Sequence, residues 1–405
     1  MITRINERMK IYPIKGIEIS SLHSGMYEKK RLDLSLVKLS SNCLVSSAFT
    51  KNKAKSSCII FNEKNLKKSN PKYLIINSGN ANAGTGKYGM LDINDYCSVL
   101  KKISNCKMSE ILVFSTGVIG ERIKYKNICE SIPKLYSSLK EDNWVNFSKS
   151  IMTTDTQAKI ISNKIKIKNE YITITGVAKG SGMIKPNMAT MLSFVATNLS
   201  IDKKTIKSLH KKAIEDSFNM ITVDGETSTN DASLLISSRT SILDYKQLSA
   251  NDKKRFYNAI LDIYKDLARK IIKDGEGATK FISINIKNAS SFKEAKNVGM
   301  HIGNSLLVKT ALFAEDANWG RILSAIGNSE IKSKDLSSVE ISFGKFKVFK
   351  NNEKAKSYNE KKLSRYLKNK EIEININLNS GKSLATVWTN DLSYEYIKIN
   401  AEYRT

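Results

Sequence analysis

Residues 179–192 read Lys-Gly-Ser-Gly-Met-Ile-Lys-Pro-Asn-Met-Ala-Thr-Met-Leu. An apolar, β-branched run at 171–177 enters this stretch and another, 191–197, leaves it. Both have the length and composition of buried strands, whereas the glycines and Pro186 between them forbid a regular element. A turn-rich loop therefore sets one threonine, Thr190, at the start of a strand near the middle of a 405-residue chain. Other polar, glycine-bearing segments lie at 77–86, 115–120 and 274–279. Such loops at strand ends are where backbone amides and hydroxyls gather around a ligand.

A threonine hydroxyl is a poor nucleophile unless a base stands beside it, and the threonine's own α-amine is one such base once the chain is cut before it. An unperturbed α-amine titrates at about 7.7–8.0 and needs no histidine. The sequence holds only three histidines, well separated, and no Gly-x-Ser-x-Gly elbow. A histidine-based hydrolase triad is disfavoured accordingly. A glycine-rich turn presenting a core threonine is the bland alternative, and cleavage itself is not visible in the residues.

Composition sets the remaining bounds. The chain exceeds what one hydrophobic core usually serves, and no Pro/Ser-rich linker separates modules. Apolar runs such as 111–114 and 191–196 are far below the ~20 residues of a membrane span. With no signal peptide at the start, a cytoplasmic location is expected. Five cysteines, at 43, 58, 97, 106 and 129, show no ligand spacing, so a reducing compartment and no metal are expected. The net charge of +27 raises the question of nucleic acid. Lysines are nevertheless spread along the chain without an aromatic-interleaved stripe, and neither a nucleic-acid partner nor a membrane is expected.

Further strands are read at 17–19, 43–49, 57–61, 73–76 and 111–114, and helices at 95–103, 122–140, 144–151, 204–218 and 252–273. After residue 281, strands at 281–286, 339–343, 346–349, 371–378, 383–389 and 394–399 alternate with helices near 305–314, 319–326 and 358–367. Strands and helices mixed without a βα repeat point to a layered α+β fold rather than a TIM barrel.

The motifs taken together resemble the ornithine acetyltransferase (glutamate N-acetyltransferase) family of arginine biosynthesis. The resemblance rests on 179–192, Asn-Ser-Gly-Asn-Ala-Asn-Ala at 77–83, Ser-Thr-Gly at 115–117 and Met-Thr-Thr-Asp-Thr at 152–156. It continues through Ile-Thr-Val-Asp-Gly at 221–225, Asp-Gly-Glu-Gly-Ala-Thr-Lys at 274–280, Leu-Val-Lys-Thr-Ala at 307–311 and Asn-Trp-Gly-Arg at 318–321.

What the resemblance implies is a layered mixed α/β sandwich of the ornithine-acetyltransferase type, self-cleaved between Ala189 and Thr190 into interlocked segments. An alpha segment, 1–189, would precede a beta segment, 190–405, with a smaller strand-rich subdomain at about 285–405. The implied assembly is a heterotetramer with two copies of each segment. The implied reaction carries acetyl from N2-acetyl-L-ornithine to L-glutamate through an ester on Thr190.

Thr116 and Gly117 resemble the oxyanion-hole pair. Lys179, Thr154, Glu276, Asn400 and the terminal Thr405 match substrate-binding positions, with Glu276 also suited to proton transfer. No cofactor is implied, although acetyl-CoA is a second donor in bifunctional members. Lys185 and Met220 stand where a small or apolar residue and an arginine are usual. A self-processing amidohydrolase or aminopeptidase is the competing enzymatic reading.

Overall fold

The computed structural model describes residues 10–185, 191–331 and 336–402, and every count below refers to these. They form two compact units. The first holds the described residues up to Gly180, those of 191–219, and Thr227–Ile271; the second holds Ser181–Lys185, Met220–Glu226 and the described residues from Ile272 onward.

The first unit contains strands β1 (Ile17–Leu22), β2 (Leu34–Leu39), β3 (Leu44–Phe49), β4 (Tyr73–Asn80), β5 (Ile111–Val118), β6 (Lys159–Ile167), β7 (Glu170–Lys179), β8 (Leu192–Thr197) and β9 (Ala232–Ser237). They make a four-stranded sheet, β1-β2-β4-β5, and a five-stranded sheet, β3-β9-β8-β7-β6. Ile17, Leu74, Ile76, Leu112 and Phe114 from one sheet pack in one cluster with Val177, Leu192, Phe194, Ala232 and Leu234 from the other. The ring of Phe114 meets Phe194 edge to face at 5.2 Å. Period-2 alternation sends the other face of the first sheet, including Tyr73, Ile75, Ile111 and Val113, into a second cluster. There it is covered by α1 (Ser57–Leu66), α2 (Gly86–Ser104) and α3 (Tyr125–Ser137), while α4 (Trp144–Ser150) adds Trp144 and Phe147 to the cluster between the sheets. Helices α5 (Lys203–Glu215) and α6 (Ala250–Lys273) belong to the second sheet's outer side. A side chain at Gly176 of β7 would lie within 2.9 Å of Ile263 on α6. Two sheets face each other and helices close both outer faces, a layered arrangement.

The second unit is built on one sheet ordered β13-β12-β11-β14-β10-β15: β10 (Phe281–Ala289), β11 (Glu340–Phe343), β12 (Phe346–Lys350), β13 (Glu353–Lys354), β14 (Glu371–Asn377) and β15 (Ser383–Asn390). Its helices are α7 (Phe292–Asn304), α8 (Leu306–Phe313), α9 (Trp319–Gly327), α10 (Glu360–Leu367) and α11 (Tyr394–Ala401). Alternating isoleucines at 282, 284, 286, 372, 374 and 376 are buried, and Gly299 lets α7 approach Val387 of β15 closely. The longest continuous run of this body starts at Ile272.

Two expected strands are helices. Residues 57–61 open α1, whose N-cap Ser56 accepts from the Ile59 N–H. Its buried Asn62 and Asn65 reach the backbone of β5 at Val113 and Ile111. Residues 394–399 lie in α11. Strand β2 and helix α7 were not anticipated. Among the described residues no helix is long and apolar enough to cross a membrane.

Candidate functional site

Lys179 ends β7 and pairs with Leu192 at the start of β8. Its side chain shares the face that carries Val177 and Phe194 toward the other sheet. Only 9% exposed, its ammonium donates to Thr116 Oγ1 and to Thr153 Oγ1, each at 3.0 Å. A hydroxyl that accepts from an ammonium keeps its own proton to donate, which suits Thr116 to meeting a developing negative oxygen.

Thr116 and Gly117 lie inside β5, not beyond it as the sequence reading had them, and the β4–β5 ladder breaks register beside them at Gly79/Asn80. Gly117 has φ +133°, and a Cβ there would lie 2.3 Å from the Gly79 carbonyl carbon. A backbone clash of that depth cannot relax, so only glycine fits. The asparagines of 77–83 are consumed in building this turn. Asn77 accepts from Ser115 Oγ at 2.6 Å and donates to Asn80 O at 2.9 Å. Asn80 donates to Glu121 O at 3.0 Å, Asn82 donates to Gly89 O at 3.1 Å, and Asn230 donates to Ser115 O at 2.9 Å. The expected anion-gathering loop is thus a rigid support for Ser115-Thr116-Gly117.

Asp155, in the Thr-Thr-Asp-Thr motif, was quoted without a role in the sequence reading. It accepts from Lys159 Nζ at 2.6 Å, Gly180 N at 2.8 Å and Thr153 N at 3.0 Å. Asp155 therefore fixes the backbone next to Lys179 and next to that lysine's acceptor. Burial acts to raise the Asp155 carboxyl, but Lys159, Lys179 and these hydrogen bonds outweigh it and hold it well below the usual carboxylate range. Asp231, also buried, behaves oppositely. Burial pushes it well above the usual range despite Ser228 and Lys179, and its Oδ2 has no partner among the described residues. Lys179 and Lys159 thus meet Asp155 in one buried polar cluster. Thr154 follows Thr153 and is half-buried.

In the second unit, Glu276 is 8% exposed. Its N–H donates to Ser181 O at 2.9 Å, and its Oε2 accepts from Asn400 Nδ2 at 2.9 Å. A side chain at Gly182 would stand 2.3 Å from the same Oε2, so that glycine of the central motif makes room for the carboxylate. Asp224 grips the next residues, accepting from Met183 N at 2.6 Å and Ile184 N at 2.9 Å. Burial, then Asp224 and Glu276, hold the Tyr396 hydroxyl above its ordinary range. The two carboxyl groups, Glu276 and Asp224, suit this group to an amine.

The expected residues thus fall into two sets, Thr116, Gly117, Lys179 and Thr154 on the first unit and Glu276 with Asn400 on the second. Ala189, Thr190 and Thr405 lie outside the described residues. Thr153, Asp155, Lys159 and Asp224 are participants that sequence reasoning missed; Thr153, Asp155 and Asp224 lie inside the motifs at 152–156 and 221–225, which is the signal available.

The ArgJ family model matches residues 18–405. The arginine biosynthesis bifunctional protein ArgJ of Colwellia psychrerythraea is 40% identical over 411 residues, spanning 97% of this chain and 97% of that protein. Its namesake from Methylococcus capsulatus is 38% identical over 98% of this chain and 97% of the relative. A crystal structure of arginine biosynthesis bifunctional protein ArgJ from Bacillus halodurans aligns with 35% identity and a TM-score of 0.47, over 50% of this chain and 95% of that one. The residues that build both groups lie within a match covering nearly the whole sequence, and the chain belongs to the ArgJ family.

Proposed function

We propose that the protein is a self-processing acetyltransferase that moves acetyl from N2-acetyl-L-ornithine to L-glutamate. Cleavage between Ala189 and Thr190 would free the Thr190 α-amine, giving segments 1–189 and 190–405 assembled as two copies of each. Thr190 Oγ attacks the acetyl carbonyl while its proton passes to that amine. The C–N bond breaks, the proton goes to the departing α-amine of ornithine, and an acetyl ester remains on Thr190. The glutamate amine then attacks the ester, Thr190 Oγ recovers a proton, and N-acetyl-L-glutamate leaves.

The observation that carries this reading is the buried contact from Lys179 to Thr116, beside Gly117. It supports Thr116 and Gly117 as donors to the oxyanion, and Lys179 with Thr154 as partners of an amino-acid carboxylate. Glu276, Asn400 and Thr405 are assigned to an amine group, and Glu276 assists proton transfer.

The relatives are named bifunctional, and a second reading has acetyl-CoA also acylate Thr190. Incubation with acetylornithine and glutamate is expected to give ornithine and acetylglutamate in equal amounts, and acetyl-CoA with glutamate tests the second donor. Release of free acetate with no acetylglutamate would instead make the protein a hydrolase.

A further inference from the structure

We propose that Lys309 is a positioning residue for Glu276, acting through Asn390 on the loop that carries the carboxylate. The proposal rests on the role given to Glu276 above. Lys309 lies on α8 and is 2% exposed. Its ammonium donates to Thr389 Oγ1 at 3.0 Å, to Asn390 Oδ1 at 2.9 Å and to the Asn390 carbonyl. All three acceptors sit at the end of β15, so the amine fixes both the backbone and the side chain of Asn390.

The fixed Asn390 amide then bears on the loop. Its Nδ2 would lie 2.9 Å from a Cβ at Gly275, the residue before Glu276. The next residue, Asp391, holds the loop's far side, accepting from Thr279 N at 2.8 Å, Lys280 N at 3.0 Å and the Thr279 hydroxyl. Ser393 Oγ donates to Gly277 O at 2.6 Å. Residues 390–393 thus grip the 275–280 turn from both ends, and Lys309 is the buried pin of that grip. A lysine so enclosed is an expensive way to brace a strand end, because burying an ammonium costs far more than burying an apolar side chain.

The pin is sensitive to pH. Burial pushes the Lys309 amine down to about 7 against the pull of Asp391 and Asp224, the charged groups acting on it. Below that pH the ammonium has three N–H donors for its three acceptors. Above it the neutral amine has two, and one contact with Thr389 or Asn390 is given up.

Lys309→Met, similar in length and apolar, is expected to lower kcat/KM about a hundredfold, the scale of a misplacement near 1 Å. It should also remove a fall in kcat/KM as pH rises through about 7. Asn390→Asp retains an acceptor for Lys309 and adds a negative charge, so it should move that fall upward by about one pH unit or more. Crystal structures of wild type and Lys309→Met read the grip without reference to activity. Residues 390–393 and the 275–280 turn should shift, lengthening the Asn400–Glu276 contact. Superimposable loops, or an alkaline limb unmoved in both variants, would overturn the proposal. Shifted loops together with full activity in Glu276→Gln would leave the grip standing and overturn the role of Glu276 instead. If Lys309→Met does not fold, Asn390→Asp decides alone.

Discussion

Replacing Thr116 by alanine removes one hydroxyl that serves two purposes, and the two losses are separately measurable. In the resting protein that oxygen is one of the hydroxyl acceptors of the buried Lys179 ammonium, at 3.0 Å. Thr116 is 9% exposed, so water does not readily take its place. A hydrogen bond to a charged group contributes about 1.5–3 kcal/mol, and that is the expected loss in unfolding free energy. During acetyl transfer the same hydroxyl would donate to the oxyanion, and deleting one such donor costs roughly 3 kcal/mol. At about 1.4 kcal/mol per tenfold, acetylation of the enzyme should slow by about 150-fold. KM for acetylornithine should move far less, because the donor is needed as charge develops and not in the ground state. Rapid-quench mass spectrometry gives the acylation rate, and urea denaturation gives the stability. Thr116→Ser should restore both. An unchanged acylation rate, or a raised KM with kcat intact, would remove Thr116 from the oxyanion role.

The other expectations are structural. His210, 1% exposed between Ser46 Oγ and Ser233 Oγ at 3.0 Å each, is pushed by burial to about 3 from its ordinary 6.5. Between those values the unfolded chain binds a proton that the folded chain refuses, so its contribution is complete above pH 6.5 and is lost as pH falls toward 3. About 2 kcal/mol should be gone by pH 5, and His210→Gln should flatten that part of the stability profile; an unaltered acid slope would refute it. Gly117→Ala should cost about 3 kcal/mol or more in denaturant unfolding, because its Cβ meets backbone and its φ is positive. A loss below 1 kcal/mol would mean that the β4–β5 bulge yields. Asp155→Asn should cost about 3–5 kcal/mol by removing the carboxylate from its buried ion pair with Lys159. Adding Lys159→Met should recover much of that, and no recovery would show that the backbone contacts of Asp155 dominate.

The strand-loop-strand at the centre was legible because period, length and breakers agreed there, and β7 and β8 stand where 171–177 and 191–197 predicted. Loop 274–279 was likewise visible as a polar glycine cluster, whereas residues 115–118 continue β5. Residues 57–61 were misread because Cys-Ile-Ile-Phe is a short apolar run that fits a buried strand or a buried helix equally. The choice is made by Asn62 and Asn65 reaching β5, which no local pattern reveals. In 394–399, two tyrosines and two isoleucines carry strand propensity, and the chain is helical there regardless.

Charged residues were the least legible part of the site. Asp155 and Asp231 look alike in sequence, yet lysines pull the first carboxyl below its usual range against burial, while burial pushes the second above it. Lys309 looks like any of the many lysines until its enclosure at the end of β15 is seen.

The claim on which the account turns is that Thr190 becomes a chain end and then carries the acetyl group. Intact-mass measurement of the purified protein, before and after acetylornithine is added, tests both parts at once. The predicted result is two polypeptides corresponding to 1–189 and 190–405, with an acetyl adduct appearing on the second alone, and a single unmodified chain for Thr190→Ala. A wild-type protein that stays one chain of 405 residues, or a Thr190→Ala protein that still divides at the same bond, would contradict it.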